Sequence, residues 1–439
     1  MARFIIVGTG AAGISAAEAI RDRSSAAEII LIGDEAAGFY SRPGLAYYIT
    51  QEVPKSQLFP FTKKDIQNLH LQIINARATS IDAQAHTIML HDGRKLSYDR
   101  LLIATGSNAA LPSLPSAKNL QGIVKLDTYE DAQNIRKLSK RARAAVVIGG
   151  GITALEIVEG LQTSGVKTHY FLRGDRYWSN VLDETESRIV EHRLQEDGVK
   201  IHYNTEEQEI IGKRGKVIGV RTKAGNQIKC NIVAYAIGIR PRTQLAKSIG
   251  IKTERGILVD QYMKTDTPDI FAAGDVAQVF DPYSGQYIID SLWGPARLQG
   301  RIAGLNMLGE SLTYTKGVPF NVTRLAGLTT TIIGMVGFGT DVDLDGIARG
   351  DSETWRQLPD AIACQQSFDI NHLRLQIGSK KILGAIVMGD QTLSQPLRHL
   401  VSQQVDITAI KDQLLKPKAP IADVVATFWT EWRTQHDIQ

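Results

Sequence analysis

Two glycine-rich turns carry the chemistry that this sequence encodes most plainly. The first is Gly8-Thr9-Gly10-Ala11-Ala12-Gly13, with the spacing G-x-G-x-x-G. Glycine in the first place permits a tight turn. In the second it lets the backbone approach a pyrophosphate, and in the third it lets a helix lie close to the preceding strand. Gly149-Gly150-Gly151-Ile152-Thr153-Ala154 repeats the pattern. Gly149 and Gly151 take the first two roles, and Ala154 the third, where a small residue suffices. In both cases the helix N-terminus presents free N–H groups and a positive dipole end to a phosphate.

An acid at the end of the next strand accepts from ribose hydroxyls. Asp34 stands 21 residues after Gly13, and Glu35 beside it is the alternative. At the equivalent place the second turn has Leu172, 18 residues after Ala154, followed by Arg173 and Arg176. A guanidinium suits a 2′-phosphate, so this pattern points to NADPH over NADH. Asp175 between the arginines opposes that preference, and the competing reading makes them solvated loop charges.

The elements around each turn agree with these roles. Phe4 to Val7 is a short apolar run, the pattern of a buried parallel strand. Ile14 to Ile20 is rich in alanine and favours helix, and Ile29 to Ile32 forms a second strand. Ala145 to Ile148, a helix through Val158, Leu161 and Gln162, and a strand from Val166 to Leu172 repeat the order. The fold class is therefore α/β, with two Rossmann-like dinucleotide-binding domains. Two such units in one chain suggest two nucleotides brought together so that electrons pass between them, the usual pair being FAD on the first unit and NAD(P)H on the second.

Composition excludes other classes. Lys plus Arg is 50 and Asp plus Glu 46, a net charge of +4, too near neutrality for broad binding to nucleic acid. Cys230 and Cys364 are the only cysteines, which excludes a disulfide framework, a zinc ribbon and a four-thiolate cluster, and no metal is expected. No apolar run reaches the roughly 18 residues of a membrane helix, and the expected location is cytoplasmic.

Further segments fall in a telling order: Tyr40-Ser41-Arg42-Pro43-Gly44-Leu45, Leu101-Leu102-Ile103-Ala104-Thr105-Gly106, Ala236-Ile237-Gly238-Ile239-Arg240-Pro241, Phe271-Ala272-Ala273-Gly274-Asp275 and Trp293-Gly294-Pro295-Ala296. With them the sequence resembles the FAD-dependent pyridine nucleotide oxidoreductases, the glutathione-reductase-like superfamily, over residues 1 to about 310. Within it the likeness is to rubredoxin reductases, oxygenase-type ferredoxin reductases and the flavin module of NAD(P)H nitrite reductase.

The resemblance implies three-layer ββα dinucleotide domains and specific residue roles. Arg42 and Pro43 would lie at the FAD pyrophosphate, Asp275 with Gly274 at the ribityl chain and phosphates, and Trp293 beside the flavin ring. Ala78, Ala104, Thr105 and Gly106 would line the same cofactor. Gly238 would close the NAD(P) domain, and Glu156 is the candidate for positioning the nicotinamide. No side chain is expected to be catalytic in its own right, because the flavin performs the chemistry. Residues 1–110 and 241–310 would bind FAD, 111–240 NAD(P), and 311–439 would form an interface-type domain.

Disulfide reductases of this superfamily carry a cysteine pair near the N-terminus, and the NADH oxidase branch carries one cysteine. Here none precedes Cys230, so electrons must leave for an external acceptor. A small rubredoxin- or ferredoxin-like protein or a small molecule is expected. The alternatives are a membrane-associated quinone reductase and a slowly turning flavin-binding sensor or assembly factor. Where several ferredoxin-reductase relatives carry a lysine beside the flavin, this chain has Ala46-Tyr47-Tyr48.

Beyond residue 311, Thr329 to Gly334, Leu373 to Ile377 and Lys381 to Gly389 read as strands, with a hairpin turn at Gly378-Ser379. Leu393 to Gln404 and Ile407 to Leu415 read as helices. Ile421, Val424, Val425, Phe428, Trp429 and Trp432 then recur at helical spacing after Pro420. This stripe has three readings: packing on the protein's own body, docking on a partner or second subunit as in a homodimer, and lying on a membrane surface.

Overall fold

The apolar run near the N-terminus becomes Arg3–Val7, the central strand of a parallel sheet. From Phe4 to Val7 it is apolar and buried, because both sheet faces are covered there. The computed structural model describes residues 2–436 except 113, 118, 338–348, 357–359 and 368–370. The chain divides into two units. Met1–Phe171, Thr205–Lys316 and Asp345–Asp351 form the first, and Leu172–Asn204, Gly317–Leu344 and Ser352–Gln439 the second.

The first unit holds two parallel sheets. One runs Ile270–Ala272, Arg100–Ile103, Arg3–Val7, Glu28–Gly33, Gln72–Asn75 in spatial order. The other contains Lys167–Phe171, Ala144–Ile148, Ile232–Tyr235 and Ile123–Val124. Each carries its own antiparallel meander. Ala78–Asp82, Thr87–Leu90 and Lys95–Ser97 put Ile81, Ile88 and Leu90 into the core of the first sheet. Glu207–Lys213, Lys216–Thr222 and Gln227–Lys229 put Ile210, Val217 and Val220 into the core of the second. A short antiparallel pair, Ser107–Ala109 with Ile239–Pro241, joins the segments that leave the two sheets.

The second unit is built on an antiparallel sheet in the order Phe320–Leu325, Leu328–Gly334, Ile382–Met388, His372–Ile377, Ile362–Ser367. The three strands read from the sequence are its interior ones. The turn at Gly378 forms as expected, with its N–H donating to the Lys381 carbonyl at 2.9 Å. The two edge strands carry no apolar alternation strong enough to be read. Helices Ser394–Ser402 and Thr408–Leu414 follow. The last helix, Ile421–Gln435, begins after Pro420 and buries Ile421 and Val425 in this unit's core. Trp429 and Trp432 stay partly buried, 5.2 and 5.6 Å from the His399 ring. The stripe thus packs on its own unit. No described helix is long and apolar enough to cross a membrane.

Candidate functional site: two glycine cradles

Backbone crowding shapes the first cradle. Gly8 takes φ +125°, and a Cβ there would stand 2.0 Å from the Ala104 carbonyl oxygen. A Cβ on Gly13 would stand 1.9 Å from the Gly8 carbonyl oxygen. Gly10 differs, since a Cβ there would meet nothing within 4 Å. Two glycines therefore let strand, turn and helix close on one another, and the third leaves open space in front of the helix Ala11–Arg23. That helix has no side-chain cap, although Tyr129–Ser139 in the same unit has a complete capping box from Thr128 and Asp131. Uncapped N–H groups facing open space are what a pyrophosphate requires.

The Phe271 to Asp275 segment meets the same turn together with the helix Trp293–Met307. Gly300 and Gly304 let it lie against the first helix, where a Cβ would come within 2.1 Å of Ala12 O and 2.6 Å of Ala16 O. Buried Gln299 on this helix accepts from the Gly274 N–H at 2.8 Å. Gly274 itself, at φ +79°, abuts Ala12. Ser107 Oγ donates to Asp275 Oδ2 at 2.8 Å, and Thr105 Oγ1 to the Arg242 carbonyl at 3.0 Å. Trp293 stacks on Phe39 with centroids 5.9 Å apart. Gly8, Ala12, Gly13, Ala104, Thr105, Gly274 and Asp275 thus form one connected wall.

The two candidate ribose acids part company. Asp34 pairs with exposed Arg77, next to Ala78 on the meander, at 2.9 Å. Glu35 turns inward, accepting from Tyr40 Oη at 2.6 Å and pairing with Arg42. Arg42 also donates to the Asp127 backbone carbonyl. Pro43 opens the short helix Gly44–Ile49 behind it. Tyr48 on that helix is buried against Tyr129 and under Arg136, so it packs.

Asp127 is a node that no motif announces. Its buried carboxylate accepts from Lys125 Nζ at 3.0 Å and from the Ala109 N–H at 3.1 Å, and it pairs with Arg349. Burial alone would raise its pKa. Arg349, Lys125, that N–H and Arg42 outweigh burial and hold it at about 2. A folded pKa below the unfolded one stabilises above the unfolded value and is lost as pH falls through the folded one. Asp127 is thus expected to contribute about 2 kcal/mol at neutral pH, lost between about pH 4 and pH 2. Acid unfolding of Asp127→Asn should show a flatter slope in that window, and an unchanged slope would refute it.

The second cradle shares the crowded first glycine, and open space lies at Gly150, between its two motif glycines. Gly149, at φ +148°, would place a Cβ 2.2 Å from Ala236 O, whereas Gly150 faces open space. Helix Ile152–Thr163 starts after Gly151 without a side-chain cap. Ala154 is fully buried behind the turn, and Glu156 is half-buried on the same helix. Gly238, at φ +110°, accepts from the Ala110 N–H at 2.8 Å. Leu172 is buried and donates its N–H to His202 O, so no acid stands at that strand end. Arg173 and Arg176 belong to the second unit, and Arg176 donates to Ser179 O at 3.3 Å.

Neither cysteine is poised for redox work. Cys230 is buried in the core of the second parallel sheet, and Cys364 lies on an edge strand of the second unit. Burial pushes both thiols up to about 12, far from the thiolate that exchange chemistry needs. In the second unit, ligand atoms of Asp183, Glu186 and His372 lie within 4.8 Å of one another. Arg374 Nε bonds Glu186 at 2.8 Å and lies 3.8 Å from Asp183. A fixed guanidinium inside the group repels a cation, so this is a buried ion network.

Residues 2–296 match the family model described as pyridine nucleotide-disulphide oxidoreductase. The chain belongs to that family. It is a flavin- and pyridine-nucleotide-dependent oxidoreductase, and its cradles fit FAD and NAD(P)H. Among its relatives is the NADH-rubredoxin oxidoreductase of Clostridium acetobutylicum, 27% identical over 416 residues, covering 94% of this chain and 98% of the relative. Another is the ferredoxin–NAD(+) reductase component of the 3-phenylpropionate/cinnamic acid dioxygenase of Photorhabdus laumondii, 31% identical over 339 residues, covering 75% and 84%. The crystal structure of the covalent putidaredoxin reductase–putidaredoxin complex superposes with a TM-score of 0.84 at 22% identity, covering 97% of this chain and 98% of that one. At that identity the likeness establishes the fold.

Proposed function

We propose that this family member takes electrons from NAD(P)H, relays them through FAD and delivers them to a small iron–sulfur or rubredoxin-type protein. One observation carries the reading: two uncapped glycine cradles stand in a chain with no thiol near the N-terminal turn. Relatives named for rubredoxin and ferredoxin reduction support it. Flavin supplies the conversion of a two-electron donor into single-electron deliveries.

The chain's own contribution is binding and orientation. The N–H groups after Gly10 and those after Gly151 would hold the two pyrophosphates. Glu35 is better placed than Asp34 for the FAD ribose, because Asp34 is paired outward with Arg77. Arg42 would add charge at the FAD phosphates, Asp275 would bond the ribityl chain, Trp293 would flank the ring, and Glu156 would position the nicotinamide. The segments 1–110 and 241–310 would serve FAD and 111–240 NAD(P), with 311–439 as the interface-type part.

Anaerobic mixing tests the reading. The yellow flavin band should bleach with NAD(P)H and return when oxidised rubredoxin or ferredoxin is added. A flavin that stays oxidised with both nucleotides, or stays bleached with both proteins, overturns it. NADPH should exceed NADH in kcat/KM by about tenfold, and the Arg173→Ala, Arg176→Ala double variant should lose most of that ratio. NADH winning in the unaltered chain refutes the nucleotide preference alone.

A further inference from the structure

Arg349 lies 222 residues along the chain from Asp127, yet its Nη2 donates to Asp127 Oδ1. Its Nε has no hydrogen-bond partner among the described residues, and Asp127 is the anchor of its guanidinium. Two residues on, the Asp351 carbonyl accepts from both the N–H and Oγ of Ser291, at 3.2 and 3.0 Å. The stretch 349–351 is therefore pinned at two points within the first unit. Asp127 faces two ways. Its carboxylate takes Arg349, and its backbone carbonyl takes Nη1 of Arg42, whose Nη2 meets Glu35.

We infer that Arg349 is a positioning residue for the FAD site: by docking on Asp127 it holds the carbonyl that aims Arg42. The inference rests on the function proposed above. The physical reason is the cost of a buried charge. The Asp127 side chain is 1% exposed, and without Arg349 its remaining hydrogen-bond partners among the described residues are Lys125 and one N–H, with the Arg42 charge nearby. A buried carboxylate short of partners draws in water or swings outward, and its own carbonyl moves with it. Arg42 then loses one of the two acceptors that fix its plane.

The test is titration of FAD-free protein with FAD, read by flavin fluorescence, with the melting temperature of the FAD-free protein measured beside it. Arg349→Met should weaken FAD binding about tenfold or more. Asp127→Asn combined with Arg349→Met removes both charges and should return affinity to within about threefold of the unaltered chain. Arg349→Lys keeps the charge and should fall between. A role in folding alone would lower the melting temperature without this order of affinities. Affinity of Arg349→Met within about twofold of the unaltered chain overturns the inference, as does a double variant no tighter than Arg349→Met. If Arg349→Met does not fold, Arg349→Lys decides, and unaltered affinity there overturns it. An unaltered chain that takes up no FAD overturns the functional reading as well, which separates the two failures.

Discussion

Gly8→Val is expected to yield a chain that neither holds FAD nor keeps its first parallel sheet intact. The new side chain would sit at φ +125°, where a β-branched residue is strained by about 1–2 kcal/mol. Its Cβ would overlap the Ala104 carbonyl at 2.0 Å, and backbone cannot rotate away as a side chain tip can. Overpacking of this kind adds about 1–3 kcal/mol, so the total loss should be roughly 3 kcal/mol or more. Gly10→Val is the control. Gly10 already has φ −80°, and a Cβ there meets nothing within 4 Å. That variant should melt like the unaltered chain without FAD, yet bind FAD poorly, because the side chain occupies the space in front of the helix. Melting temperatures of FAD-free protein and flavin-to-protein ratios check both. Full flavin content in Gly10→Val would remove the case that this turn holds the pyrophosphate.

Arg374→Met should produce the largest loss of stability in the second unit. The guanidinium is buried, and it donates to Glu186 at 2.8 Å and to the carbonyls of Val336 and Val181 at 2.9 Å each. Methionine fills the volume but leaves a fully buried carboxylate beside His372. Breaking one side of such a pair costs about 3–5 kcal/mol, a fall in melting temperature on the order of 10 °C. Burial would raise the Glu186 pKa, but Arg374 and His372 outweigh it and hold the carboxyl below its usual range. Its contribution is therefore present at neutral pH and lost as pH falls through the folded value. The gap between variant and unaltered chain should be widest near neutrality and narrow in acid. A gap that grows in acid would mean that Arg374 does not act through Glu186. Replacing Glu186 by Gln in the same variant should recover much of the loss, since no buried charge then remains.

The dinucleotide cradles were legible because their signal is local. Glycine spacing, a short apolar strand before it and a helix after it lie within a few dozen residues, and each residue type answers one steric demand. The interior strands of the second unit were legible for a similar reason, since alternation or continuous apolarity marks a covered face. The edge strands Phe320–Leu325 and Ile362–Ser367 were not, because an edge keeps polar residues on its open side.

Sequence by itself marked out two glycine turns of dinucleotide-binding type and showed no cysteine before Cys230, and the outward electron relay proposed above was read from these. It put Asp34 first and kept Glu35 as the alternative. Tertiary structure separated them, since Arg77 draws one outward and Tyr40 with Arg42 draws the other in. It also decided the Asp127 node and the ion network at Arg374. Such groups are joined across 85, 222 and 188 residues of chain. A charge pair has no periodicity and no steric signature in one dimension, and only folding brings its members within bonding distance.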